Sequence, residues 1–88
     1  GRCYVDRVAR ILMRFDAPAE TREHTFGRTR VVEFNHGSSR YFYVEGRGAW
    51  RLYGAGTVSQ ATVDEALGRG VESADDLFWA LGAIKLGR

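Results

Sequence analysis

Residues 31–53 read VVEFNHGSSRYFYVEGRGAWRLY, and this stretch decides the fold because many of its apolar side chains alternate with polar ones. Alternation with a period of two is typical of β-strands that have one buried face. The Gly- and Ser-containing stretches at 37–39 and 46–48 divide the sequence into short strands. With the pattern extended back to Thr25, the sequence predicts a three-stranded antiparallel meander that is joined by two hairpins.

Loops at 37–39 and 46–48 predict a register that places six apolar side chains on one face of this sheet. They are Val32, Phe34, Phe42, Val44, Trp50 and Leu52. A shift of one residue would turn a strand's apolar side chains to the other face, so the agreement across both loops supports this register. The opposite face is then expected to carry two cross-strand rows, Glu33, Tyr43 and Arg51 in one and Asn35, Tyr41 and Tyr53 in the other.

Helical patterns flank the meander. Apolar residues recur three and four apart over 3–15, which predicts a helix there, and a polar connector follows over 19–25. Beyond the sheet, two capping signals, Thr62 before Glu65 and Ser73 before Asp76, predict a short helix over 59–68 and a longer one over 74–86. The expected fold is one small α+β domain, ordered α-β-β-β-α-α, with the N- and C-terminal helices packed on one face of the meander.

The predicted outer face of the sheet is the first candidate for a functional surface. Tyr and Arg are enriched among the residues that dominate protein interfaces, and Tyr41, Tyr43, Arg51 and Tyr53 are expected to lie together there. Trp79 adds an aromatic anchor on the last predicted helix, whose apolar residues cover more than half of its circumference. We therefore predict a non-catalytic domain that acts by protein–protein contact, as a small regulator or inhibitor, and that self-associates as a homodimer or other homo-oligomer.

DNA or RNA binding is the alternative hypothesis. The sheet tyrosines would stack on bases, and Arg7, Arg10 and Arg14 would form a basic stripe on the first helix. The charge argues against it, because the net charge of the 88-residue chain is only +2. Residues 1–51 carry ten Arg against six acids, or +4, whereas residues 52–88 carry three basic residues against five acids, or −2.

Catalysis ranks third. Glu33, His36, Ser38, Ser39 and Arg40 lie near the first loop and include an acid, a base and a cation, the set that a small ribonuclease uses for general acid–base cleavage. The predicted register points Glu33 away from His36 and Arg40, so these groups are not expected to converge. We expect the protein not to be an enzyme.

Metal, cofactor and membrane signals are absent from the sequence pattern. One cysteine, Cys3, and two histidines make a poor ligand set for a metal, and the glycines at 54 and 56 lack the Lys that a phosphate-binding loop needs. The longest uncharged apolar stretch, 77–84, is much shorter than the ~20 residues of a membrane span. We expect no metal, no cofactor, no membrane contact and a cytoplasmic location.

Overall fold

The computed structural model describes residues 20–46 and 48–87. It contains β1 (Thr21–Phe26), β2 (Thr29–His36), β3 (Ser39–Gly46), β4 (Ala49–Gly54), α1 (Gln60–Gly68), α2 (Ala74–Leu81) and β5 (Ile84–Gly87). The strands form one antiparallel sheet in the order β1-β2-β3-β4-β5. The α+β class is confirmed, but the predicted count of three strands is wrong, and both described helices follow the fourth strand. The helix predicted over 3–15 lies outside the described residues.

Strand β1 occupies most of the segment that was predicted to be a connector. Its residues alternate between exposed and half-buried, and the half-buried positions are Arg22, His24 and Phe26. Two of these three side chains are polar or ionisable, so a search for alternating apolar residues passes over the strand. Along β1 the exposure of the residues alternates with a period of two, whereas their hydropathy does not.

The last predicted helix is shorter than expected, because α2 ends at Leu81 instead of near residue 86. Gly82 adopts the left-handed conformation (φ 66°), and its N–H points to the carbonyl groups of Phe78 and Trp79. Left-handed glycine is a common helix terminator, since a side chain there would clash with the backbone. Residues 84–87 leave the helix and pair with β4 as strand β5.

The predicted hairpin register is wrong by one residue at both turns. His36 pairs with Ser39 and Gly46 with Ala49, so each loop contains two residues instead of three. Gly37 has the positive φ that such tight turns require. Because of these two shifts, each side chain of β3 lies on the opposite side of the sheet from the one predicted, relative to the side chains of β2 and β4.

Both faces of the sheet consequently carry a core. We call the side of the sheet that α1 and α2 cover the helix face. There Val31, Phe42 and Val44 pack against the apolar sides of the two helices. The Phe78 ring of α2 lies 5.4 Å from that of Phe42. The other side of the sheet, which we call the opposite face, carries a smaller buried cluster of Val32, Phe34 and Tyr43. Against this cluster pack Tyr41, Trp50 and Leu52.

Candidate functional site

The tyrosine–arginine surface predicted from sequence is not assembled. Tyr41 and Tyr43 lie on the opposite face, whereas Arg51 and Tyr53 lie on the helix face. Tyr43 is fully buried, and its hydroxyl donates to Glu45 Oε2 at 3.0 Å. The placement of these residues on one shared face is therefore wrong, while their individual roles in binding stay predictions.

Arg51 and Tyr53 instead join the sheet to α2. Arg51 Nη1 donates to the Tyr53 hydroxyl at 3.0 Å and lies 3.4 Å from Asp75 Oδ1 of the helix. The Tyr53 ring stacks on Phe78 with 4.2 Å between ring centroids. Stacked aromatic rings of this kind add to the burial energy, so this pair helps to hold α2 against the sheet.

Trp79 lies on the outer side of the same helix. The Ser73 side chain caps α2 by accepting a hydrogen bond from the Asp76 N–H at 3.1 Å. The inner side buries Ala74, Leu77, Phe78 and Leu81. Trp79 is 90% exposed, and Asp75 and Asp76, one turn earlier, are exposed as well. This outer side of α2 is the candidate contact surface.

Two further apolar side chains are exposed on β5, Ile84 at 67% and Leu86 at 56%. Leu86 lies across Gly54, where an added Cβ would be 2.8 Å from Leu86 Cδ1. Ile84 pairs with Gly54 in the sheet. Within the described ranges, all three exposed large apolar side chains thus fall between residues 79 and 86.

A second feature is a partly buried group of ionisable side chains on the helix face, which we call the Glu33 cluster (Arg22, His24, Glu33 and Arg40). Glu33 is 1% exposed. Its Oε1 accepts from Arg22 Nε at 3.1 Å and Nη2 at 2.8 Å and lies 2.8 Å from His24 Nε2. Its Oε2 accepts from Arg40 Nη1. Arg22 continues the network to Asp64 of α1 at 2.8 Å.

The cluster holds the Glu33 carboxyl group in its ionised form. Burial by itself raises the pKa of Glu33, but the hydrogen bonds from His24 and Arg22 and the charges of Arg22 and Arg40 outweigh it, so its pKa lies below its ordinary value of 4.5. The same contacts with Asp64 and Glu33 raise the pKa of Arg22 despite its partial burial. Because both oxygens of Glu33 are occupied by donors, the geometry suits a structural anion better than a proton acceptor.

The predicted register, which placed Glu33 and Arg40 on opposite faces, is wrong. They share the helix face and are in direct contact, whereas His36 lies on the opposite face. The histidine that contacts Glu33 is His24. The sequence-based prediction missed Arg22 and His24 because it treats residues 19–25 as a connector. Residues 21–25 are all polar, so no alternation of apolar and polar residues could have revealed this strand.

The Glu33 cluster borders a cavity of about 320 Å³ at the edge of the helix layer. The residues that line it are Glu20, Thr21, Arg22, Glu33, Asn35, Arg40 and Gln60. It lies between β1, the ends of β2 and β3 and the first residue of α1. Two arginines and two glutamates line it, so the formal charges of the wall cancel.

No protein-family model matches this chain, and no curated protein or solved structure matches it. Over the described ranges 20–46 and 48–87, neither helix has the length and apolar composition to cross a membrane. In the same part of the chain, no three His, Cys, Asp or Glu side chains are grouped as metal ligands. Arg7, Arg10 and Arg14, the predicted nucleic-acid contacts, lie outside it.

Proposed function

We propose that this domain is a non-catalytic protein-binding module that self-associates through the outer side of α2. The observation that carries the proposal is Trp79, which is 90% exposed on a helix whose inner side is fully packed. Burying a large apolar side chain is worth about 1.5–3 kcal/mol, and that stabilisation is unused at Trp79 in the single chain. Trp is also among the residues most enriched at the energetic centres of protein interfaces.

The distribution of charge supports a second copy of the chain as the partner. Asp75 and Asp76 lie one turn before Trp79 on α2 and are exposed, Asp75 at 3.4 Å from Arg51 Nη1, while Arg28 is exposed in the turn between β1 and β2. The chain as a whole divides in the same way, with +4 over residues 1–51 and −2 over residues 52–88. The acidic part of one copy would therefore attract the basic part of another, and charge complementarity of this kind fixes the orientation of a complex.

Light scattering tests this proposal. We expect the mass of the wild-type protein to rise above 9.9 kDa with concentration and to fall back as salt is added, because salt screens charge attraction. Trp79→Ala should remain at the monomer mass. Arg69→Ala is the matched control, since Arg69, the residue that follows the C-terminal end of α1, is also a large side chain and is 71% exposed, and it should associate like wild type.

Two results would overturn the proposal. One is a wild-type protein that stays at the monomer mass up to about 1 mM, a concentration at which even weak specific dimers form. The other is association that Trp79→Ala and Arg69→Ala leave equally intact, which would move the contact away from α2.

A further inference from the structure

The cavity beside the Glu33 cluster contains hydrogen-bonding groups that the fold does not use. Arg40 is 8% exposed, its Nε donates to the Val58 carbonyl at 2.8 Å and its Nη1 donates to Glu33. For Nη2 there is no hydrogen-bond partner within the described residues. Arg40 is mostly buried and lines the cavity, so an acceptor that enters the cavity can satisfy the donor that the fold leaves without a partner.

Two side-chain amides line the same cavity. Asn35 lies near the end of β2 and Gln60 is the first residue of α1, and both are exposed. Neither amide makes a hydrogen bond or an ion pair with any other residue in the described part of the chain. A side-chain amide donates and accepts at once, so the pair can bind a group that does the same.

The charges of the wall determine which class of ligand fits. Arg22 and Arg40 are balanced by Glu20 and Glu33, and both Glu33 oxygens already accept hydrogen bonds. An anion would meet two carboxylates and a cation would meet two guanidinium groups. A neutral compound avoids both repulsions and keeps the hydrogen bonds. At about 320 Å³, the cavity holds the volume of roughly ten water molecules, enough for a single small ring.

We propose that this cavity binds a small neutral compound in which a carbonyl oxygen stands next to an N–H, the group that cyclic amides and nucleobases share. Arg40 Nη2 donates to the carbonyl oxygen, and the amides of Asn35 and Gln60 pair with the adjacent N–H and with a second acceptor. Glu33 and the Val58 carbonyl act as positioning groups, because they hold the other two nitrogens of the Arg40 guanidinium. The site is separate from the α2 surface and does not depend on self-association.

Ligand titration by calorimetry tests the site, with uracil and 2-pyrrolidinone as neutral probes and sodium acetate and sodium phosphate as anionic ones. We expect the neutral probes to bind with millimolar or tighter affinity and the anions not to bind. The double variant Asn35→Ala/Gln60→Ala should weaken uracil binding by about tenfold. Both side chains are exposed and unbonded, so this variant should unfold at the wild-type temperature.

The matched control is Thr25→Ala, which removes an exposed polar group of β1 that does not line the cavity, and it should bind like wild type. Arg40→Lys keeps the charge but lacks the second terminal nitrogen, and it should also weaken binding. Absence of uracil binding at about 10 mM overturns the proposal, and so does equal binding of acetate or an unchanged affinity of the double variant. Binding of a short oligouridylate without binding of uracil would overturn it too, because the ligand would then be a nucleic acid strand rather than a free small compound.

Discussion

Glu33 shows how one side chain can organise a small domain. Its carboxylate accepts hydrogen bonds from both neighbouring strands, through Arg22 of β1 and Arg40 of β3. Arg22 then contacts Asp64, and Arg40 contacts the Val58 carbonyl, so the same network reaches the helix layer. A buried charge is tolerated only when its partners compensate for lost hydration, and here four donors do so. The Glu33 cluster therefore ties the first three strands to the segment that follows β4.

Replacement of Glu33 should show how much the stability of the domain depends on its carboxylate. At pH 7, Glu33→Gln should lower the free energy of unfolding by about 3 kcal/mol, because Arg22 and Arg40 would be left without their shared anion. The folded-state pKa of Glu33 lies below 4.5, so its stabilisation is present above about pH 4.5 and is lost as the pH falls through the folded-state value. Urea unfolding at a series of pH values should show the difference between wild type and Glu33→Gln shrinking in acid.

Glu65 provides the control for this experiment. Its side chain is 66% exposed and forms an i,i+4 ion pair with Arg69, the residue that follows the last residue of α1. Glu65→Gln should change the stability at pH 7 by no more than about 0.5 kcal/mol. A Glu33→Gln protein as stable as the Glu65→Gln protein, or a difference that stays constant with pH, would contradict the assigned role of Glu33.

At the scale of elements, the boundary between α2 and β5 depends on Gly82. The helix buries four side chains within eight residues, and the chain then turns back to add a fifth strand beside β4. Gly82 permits this reversal because its φ of 66° is costly for any residue that has a Cβ. Without the reversal, the apolar residues of 84–86 would extend the helix, as their pattern alone suggests.

Substitution of two glycines tests this boundary. Gly82→Ala should lower the free energy of unfolding by about 1 kcal/mol, because alanine is strained at a positive φ. Gly68→Ala should raise it by about 0.5 kcal/mol, since Gly68 has helical backbone and an added Cβ there meets nothing within 4 Å. Thermal unfolding followed by circular dichroism measures both variants. Equal effects of the two substitutions would show that the backbone conformation at Gly82 does not set the helix end.

At the scale of the whole molecule, the sheet is buried on both faces at its centre. On the helix face, Phe78 joins α2 to the sheet, since its ring contacts those of both Phe42 and Tyr53. The opposite face has its own buried cluster, in which the Tyr43 and Trp50 rings stack 6.0 Å apart. Because β3 contributes to both cores, loss of either one should unfold the other.

A variant with one tryptophan can test this cooperativity. In Trp79→Phe the remaining Trp50 reports on the sheet by fluorescence, while circular dichroism at 222 nm reports on the helices. Trp79 is 90% exposed, so the substitution should leave stability almost unchanged. We expect the two urea transitions to coincide. Helices that unfold at a lower urea concentration than the sheet would indicate two independent units.

The sequence by itself determined the features that depend only on residues close together along the chain. The period of two over 31–53 indicated an antiparallel sheet, and the predicted helix over 59–68 matches α1 to within one residue. Ser73 caps α2 as predicted, whereas the cap of α1 is Ser59 and not Thr62. These features are local, because strand alternation and helix capping act over two to four residues. The exposed Trp79, which carries the proposed function, was likewise singled out from its position alone.

The tertiary structure decided the register, the fifth strand and the Glu33 cluster. Residues 41–44 read YFYV and are apolar at every position, so alternation cannot say which side of β3 faces the helices, and a loop shorter by one residue turns the strand over. Strand β1 half-buries Arg22 and His24, and both side chains find their partner, Glu33, on the neighbouring strand. The residues around β1 do not reveal Glu33 as a partner, because the partners of a buried charge come together only in the folded chain.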